Sequence, residues 1–323
     1  IPKLSRARAR TPWLRMPRQG ARRKQRERGL GQSKAEESKK RPAPNDRDAK
    51  ESKSKPRVSC PVDIEAALSS CDQPSEKLFE LANRPSLCLR IGGSVLEVSQ
   101  DRSTQEHSGG VVWETAFFLL RYLEREVLPG LGRRLRVVEL GAGCGLLGLG
   151  LARLGCEVVL TDQPLALPNL RHNAEGSGAE VQVLSWGDVE HMEAVRRQGP
   201  FDLVVGSDVV FALRFVEPLL QTIGALLQDS GTCWLCLQRR DPDAHALLMQ
   251  KAAEAFEVQE LSFEGLQGLE AAQELECLLL RLTRRPAIQQ VPGSGAGERK
   301  DPKRRTGKEQ KVPPCRRNPR RWL

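Results

Sequence analysis

The chain has 323 residues, 9 cysteines and a formal net charge of +10, long enough for one large domain or two small ones. The charge is uneven: residues 1–57 carry 20 Lys/Arg against 6 Asp/Glu, residues 284–323 carry 13 against 3, and residues 58–283 come out at −14. Scattered cysteines argue against a disulfide scaffold and fit a reducing compartment, no apolar run reaches membrane-spanning length, and no secretory apolar core appears.

The basic segments 1–57 and 284–323 are rich in Pro, Gly, Ser and Arg, with almost no apolar periodicity, so disordered tails are expected. Solvated tails are the plain reading. Arg22-Arg23-Lys24 and Lys303-Arg304-Arg305 also suit nuclear import, or contact with an acidic protein or RNA. Residues 1–26 hold no acid, as in a transit peptide, but Pro2, Pro12 and Pro17 break the amphipathic helix such a peptide needs. The expected location is the cytoplasm, with the nucleus second and organelles disfavoured. The chain opens on Ile1 rather than Met, so a native N-terminus further upstream is an expectation.

Residues 58–85 read as a helical or irregular lead-in to a domain over 86–283. Gly92-Gly93 between Ser86–Ile91 and Val95–Val98 signals a hairpin. Trp113-Glu114-Thr115-Ala116 opens a strongly apolar helix that runs to Val127 and ends at Pro129-Gly130. Short β-rich runs at 135–140, 156–161, 181–185, 201–206 and 232–237 then alternate with helical patterns near 145–154, 165–175, 189–197, 216–228 and 243–255. Two further strands, 256–262 and 275–282, follow with no clear helix between them. Such alternation predicts right-handed βαβ units, an α/β fold, and a Rossmann-like seven-stranded sheet closed by an antiparallel pair. Cys233 and Cys236 have redox or zinc spacing but lie inside a strand without a second pair, and so read as core. His107, His172, His191 and His245 share no metal-site spacing, and no metal is assigned.

Ligands of such sheets bind beyond the carboxyl ends of the strands. The first strand runs into Glu139-Leu140-Gly141-Ala142-Gly143-Cys144-Gly145, with Cys144 a small residue that fits the turn. The second ends in Thr161-Asp162, about twenty residues on, where an acid can hold ribose hydroxyls. The third ends in Ser185-Trp186-Gly187, an aromatic placed to pack on adenine. The glycines follow G-x-G-x-G rather than G-x-G-x-x-G, since Leu146 stands at the sixth position. A Glu beside a helix N-terminus also disfavours phosphate. Both point to S-adenosylmethionine, which has a sulfonium and no phosphate.

Val111-Val112-Trp113-Glu114-Thr115-Ala116, Glu139 to Gly145, Thr161-Asp162, Leu184-Ser185-Trp186-Gly187 and Ser207-Asp208-Val209-Val210-Phe211 run in one order across the domain. In this the chain resembles the seven-β-strand protein-lysine methyltransferases, methyltransferase family 16, the methyltransferase-like 21 group. Glu217-Pro218-Leu219-Leu220 and Gln238-Arg239 lean toward the member acting on valosin-containing protein. The resemblance implies an S-adenosylmethionine-dependent protein-lysine N-methyltransferase; a monomer without membrane association is expected. Its substrate would be a non-histone protein such as an ATPase chaperone or translation factor. It further implies that Trp113, Glu139, Gly141, Ala142, Gly143, Gly145, Asp162, Trp186 and Ser207 hold the cofactor, while Asp208 and Phe211 meet the lysine. Phe211 stands where many members have Tyr, and Glu114 where Asp is usual.

Each of these residues also has a plain structural reading. Asp208 and Asp162 read equally as helix N-caps, Trp113 as core, and Trp186 as a cover on the sheet end. Other functions also remain open: a small-molecule or nucleic-acid methyltransferase, and a non-catalytic module of the same fold. Gly206-Ser207-Asp208-Val209-Val210-Phe211 lacks the Asn/Asp-Pro-Pro-Tyr type sequence of amide and exocyclic-nitrogen methylation, which disfavours the first. The intact glycine turn and both tryptophans disfavour the second.

Overall fold

The computed structural model describes residues 60–69, 74–103 and 108–285, all within one compact unit. The expected tails and His107 lie outside the described residues, except that Arg284 closes the last strand and Arg285 follows it.

A small sheet comes first, from β1 (Val62–Asp63), β2 (Ser86–Ile91) and β3 (Ser94–Ser99). The predicted hairpin forms, with Ile91 opposite Ser94 across Gly92-Gly93, and β1 adds in parallel to β2. The lead-in also supplies α1 (Ile64–Ser69) and α2 (Pro74–Ala82), whose Ile64, Leu78 and Leu81 join the core of the main domain. Arg121, on the following helix, fastens this region by pairing with Glu65 at 2.5 Å and donating to the Arg90 carbonyl at 2.9 Å.

That helix, α3 (Glu114–Tyr122), is buried along Glu114–Arg121, its apolar middle enclosed by the core and its charged Glu114 and Arg121 each held by an ion pair. It ends sooner than its apolar pattern suggests. A wide π turn over Leu123–Val127 and a 3-10 turn over Leu128–Gly130 carry the chain to Leu131. Proline at 129 lacks the N–H that another α-helical turn requires.

The main sheet contains β4 (Arg136–Leu140), β5 (Glu157–Asp162), β6 (Glu180–Val183), β7 (Phe201–Ser207), β8 (Leu227–Leu237), β9 (Phe256–Leu261) and β10 (Leu278–Arg284). Its order is β6-β5-β4-β7-β8-β10-β9. The first five are parallel, and β10 inserts antiparallel between β8 and β9. This is the expected seven-stranded Rossmann-like sheet. β8 starts at Leu227 rather than residue 232, with a register shift against β7 between Phe201 and Leu203. A short helix lies between β9 and β10, where the sequence shows no clear pattern.

Helices cover both faces, which explains strands that are apolar throughout. Val137, Val158 and Val205 face one layer with α3, α4 (Leu146–Arg153) and α5 (Leu167–Ala174). Val138, Val159 and Val204 face the other, with α6 (Val189–Arg196), α7 (Val216–Leu226) and α8 (Pro242–Ala255). The short helix, α9 (Glu270–Glu274), joins the first layer through Ala272. Cys233 and Cys236 are fully buried on opposite faces of β8, so their spacing builds no shared site. Among the described residues no helix is long and apolar enough to cross a membrane.

Candidate active site at the carboxyl ends of the strands

The turn after β4 is drawn tight by its neighbours. The Ala142 amide donates to the Thr161 carbonyl at 2.9 Å, the Thr161 hydroxyl to the Glu139 carbonyl at 2.6 Å, and the Gly143 amide to Asp162 Oδ2 at 2.7 Å. Asp162 thus ties the second strand end to the first, and no helix is capped by it, since α5 has Ala166 at that position. Gly141 has φ +66°, and a Cβ there would stand 3.2 Å from both Trp186 and Val209. Its bare Cα is what lets the Trp186 indole pack this close to the turn. Trp186 is half-buried, with its ring edge-on to Phe215 at 6.1 Å, and Phe215 in turn packs at a tilt against Phe211 at 5.0 Å. Phe211 is 44 % exposed.

Glu139 and Gly145 face inward instead. Glu139 is 1 % exposed, and its Oε2 accepts from the Gly148 amide at 2.9 Å in the first turn of α4. Burial pushes its carboxyl up to about 8; the Gly148 bond opposes the rise and Asp162 adds to it. The carboxyl therefore sits behind the turn, bonded to the N-terminal backbone of α4. Gly145 has φ +86°, and a Cβ on it would point toward Leu170 and Leu149. Cys144 is buried, its thiol pushed up to about 12, chiefly by burial.

A second group gathers at the end of β7, beyond Ser207. Asp208 is a non-glycine residue at φ +52°, its amide donating to the Cys236 carbonyl at 2.9 Å. Its carboxylate does not cap a helix. Oδ2 accepts from Arg240 Nε at 2.9 Å and Nη2 at 2.6 Å, and Oδ1 accepts from the Gln238 amide at 3.4 Å. Arg240 Nη2 also reaches Glu114 Oε1 at 3.1 Å, and its guanidinium lies 4.9 Å from the centre of the Trp113 ring. The Trp113 indole N–H donates to the Ser108 carbonyl at 3.1 Å. Trp113 is half-buried at the head of α3 rather than enclosed in the core.

Sequence reasoning missed Arg240 as a member of this cluster. Its signal was a basic pair, Arg239-Arg240, directly after an apolar strand in an acidic domain. Nothing in that pair says which arginine turns inward.

The strand ends supply a carboxylate able to accept ribose hydroxyls, an aromatic plane and a turn of bare glycine backbone, with the Glu139 carboxyl buried behind it. These residues fit S-adenosylmethionine, and fold and site together define an S-adenosylmethionine-dependent methyltransferase. A family model described as lysine methyltransferase matches residues 92–255, half of the chain, so the chain belongs to that family of S-adenosylmethionine-dependent protein-lysine N-methyltransferases. Protein N-lysine methyltransferase METTL21A of Mus musculus is 33% identical over 175 residues, covering 52% of this chain and 78% of that one. The Danio rerio METTL21A is 35% identical over 167 residues, 49% of this chain and 73% of that one. EEF1A lysine methyltransferase 3 of Mus musculus is 33% identical over 153 residues, 46% and 63%.

Proposed function

We propose that the chain methylates lysine Nζ on a non-histone protein, with Asp208 and Phe211 receiving the lysine. The cofactor would rest along Trp113, Gly141, Ala142, Gly143, Asp162, Trp186 and Ser207, with the inward-facing Glu139 and Gly145 supporting the turn from behind rather than touching the cofactor. The observation that carries the lysine assignment is the pairing of two buried carboxylates, Asp208 and Glu114, beside the Trp113 ring at the end of β7.

S-adenosylmethionine supplies, when bound, a methyl group already activated on a sulfonium. The protein's task is then alignment and control of one proton. A lysine must arrive neutral, and its ordinary pKa is about 10.4. Aromatic walls at Phe211 and Trp113 disfavour the ammonium by desolvation, while Asp208 favours it. Asp208 therefore recruits and orients the lysine rather than acting as a strong base, and the proton leaves to water.

The substrate in this reading is an ATPase chaperone or a translation factor. Support comes from a relative named as an EEF1A lysine methyltransferase and from the likeness of Glu217-Pro218-Leu219-Leu220 to the member acting on valosin-containing protein. The catalytic unit runs over 86–283 with the described part of 58–85 packed on it, works as a monomer, and resides in the cytoplasm and nucleus.

Incubating the full chain with radiolabelled S-adenosylmethionine and a cell extract, with and without nuclease, tests this. Nuclease-resistant label on lysine is expected. Label confined to nucleic acid or metabolites overturns the reading, and a calorimetric trace without cofactor binding favours a non-catalytic module.

A further inference from the structure

Two carboxylates converge on one guanidinium at the end of β7. The Asp208 and Glu114 side chains are 5 % and 6 % exposed, and that of Arg240 18 %. Burying charge is costly unless each ion is paired, and removing one partner of a buried pair leaves the other charge uncompensated. One arginine and two acids still leave one carboxylate in excess. Burial pushes the Glu114 carboxyl above its usual range, Arg240 pulls it back, and Asp208 adds to the rise. Burial works against the charge on Arg240, yet Asp208 and Glu114 hold it above its usual value, so this cation stays charged.

The remaining titratable groups here are thiols: Cys236 on β8, fully buried, and Cys277, just before β10, beside it. Trp113 carries no charge but presents the ring face under the guanidinium. Arg240 is thus the one fixed cation facing Asp208 and Glu114 among the described residues.

We propose that Arg240 is a positioning residue for the methyl acceptor: it clamps Asp208 and Glu114 so that the site holds a single surplus negative charge, which draws in one lysine ammonium without locking its proton in place. The proposal rests on the reading that the lysine enters beside Asp208. Without Arg240, two facing carboxylates would bind the ammonium tightly and oppose loss of its proton, leaving no lone pair to attack the methyl carbon. With Arg240 present, the guanidinium's own field favours the neutral amine. The N–C bond then forms as the C–S bond breaks, the electron pair returns to sulfur, and the proton has already gone to water. Arg240 Nε and Nη2 grip one oxygen of Asp208 while Nη2 also bonds Glu114, a forked geometry that the point charge of a lysine cannot reproduce.

The test follows the pH dependence of kcat in the full-length chain. Tritiated S-adenosylmethionine and a heat-treated protein extract serve as probes, between about pH 6.5 and about pH 10 to bracket an ordinary lysine. Arg240→Gln is expected to move the acidic limb of the profile upward by about one pH unit, equivalent to about tenfold in rate at fixed pH, while KM stays level or falls. Arg240→Lys is expected to recover part of that shift. Glu114→Gln keeps a neutral Asp208–Arg240 pair, leaves no buried charge unpaired, and should move the limb downward with a raised KM. S-adenosylhomocysteine affinity, measured by calorimetry, should stay within about threefold of the parent, less than the binding free energy of one ordinary hydrogen bond. An unshifted profile in Glu114→Gln, or cofactor affinity falling in step with rate in Arg240→Gln, overturns the proposal. Full activity in Asp208→Asn would instead sink the underlying placement of the lysine.

Discussion

Asp208 sits at φ +52°, a conformation that only glycine adopts freely and that Asp and Asn tolerate better than other residues. Asp208→Asn can keep this backbone while surrendering the charge that Arg240 grips. We expect it to lower kcat/KM by about a hundredfold or more, the equivalent of one charge-assisted hydrogen bond, with cofactor affinity retained. Equal loss of both in calorimetry and rate assays would make Asp208 a cofactor ligand or a structural residue. Phe211 presents a different test, being exposed and backed by Phe215. Phe211→Ala should raise KM for the protein substrate about tenfold, as expected when a large apolar contact worth about 1.5 kcal/mol or more is removed. An unchanged KM in steady-state assays would remove Phe211 from the lysine's path.

At the scale of the element, the strand–turn–helix of β4 and α4 depends on one buried carboxyl. Because burial raises the Glu139 value from 4.5 to about 8, the folded protein holds a proton that the unfolded chain releases. The contribution is fully present below about 4.5, declines as pH rises, and is exhausted above about 8. Glu139→Gln removes the titrating group, so the parent-minus-variant difference in denaturant stability should fall with pH across that window. A flat difference would mean that Glu139 is charged throughout. Gly148 is the matching constraint on α4. A Cβ there would lie 2.5 Å from Glu139 Oε2 and collide with the Leu160 side chain. Alanine gains about 1 kcal/mol of helix propensity, yet overpacking costs about 1–3 kcal/mol. Gly148→Ala should therefore lower the melting temperature, and a rise in the melting curve would show that the turn relaxes around the added methyl.

Across the molecule, stability should be graded from the middle of the main sheet outward. β4 and β7 are flanked by strands and covered by helices on both faces, whereas β9 and β6 are sheet edges and β1 is two residues long. Hydrogen exchange should be slowest over Arg136–Leu140 and Phe201–Ser207, and faster in Val62–Asp63 and Phe256–Leu261. Uniform protection would mean that the small sheet and the edges open only with the whole domain.

The alternation of apolar runs with helical patterns determined the α/β class, the seven strands and most of their limits, because strand and helix periods are local properties of the chain. The glycine spacing and Glu139 pointed the first strand end toward S-adenosylmethionine rather than a dinucleotide. Only the tertiary structure decided where Glu139 points: inward to the Gly148 amide rather than outward to a ligand. Only the tertiary structure also decided which of Arg239 and Arg240 enters the site, and that Glu114 and Asp208 share it. Those two acids lie 94 residues apart in sequence, and the pairing of their charges depends on how α3, β7 and the end of β8 pack, not on any spacing along the chain. The glycine turn could be read locally, but the charge balance at the end of β7 could not.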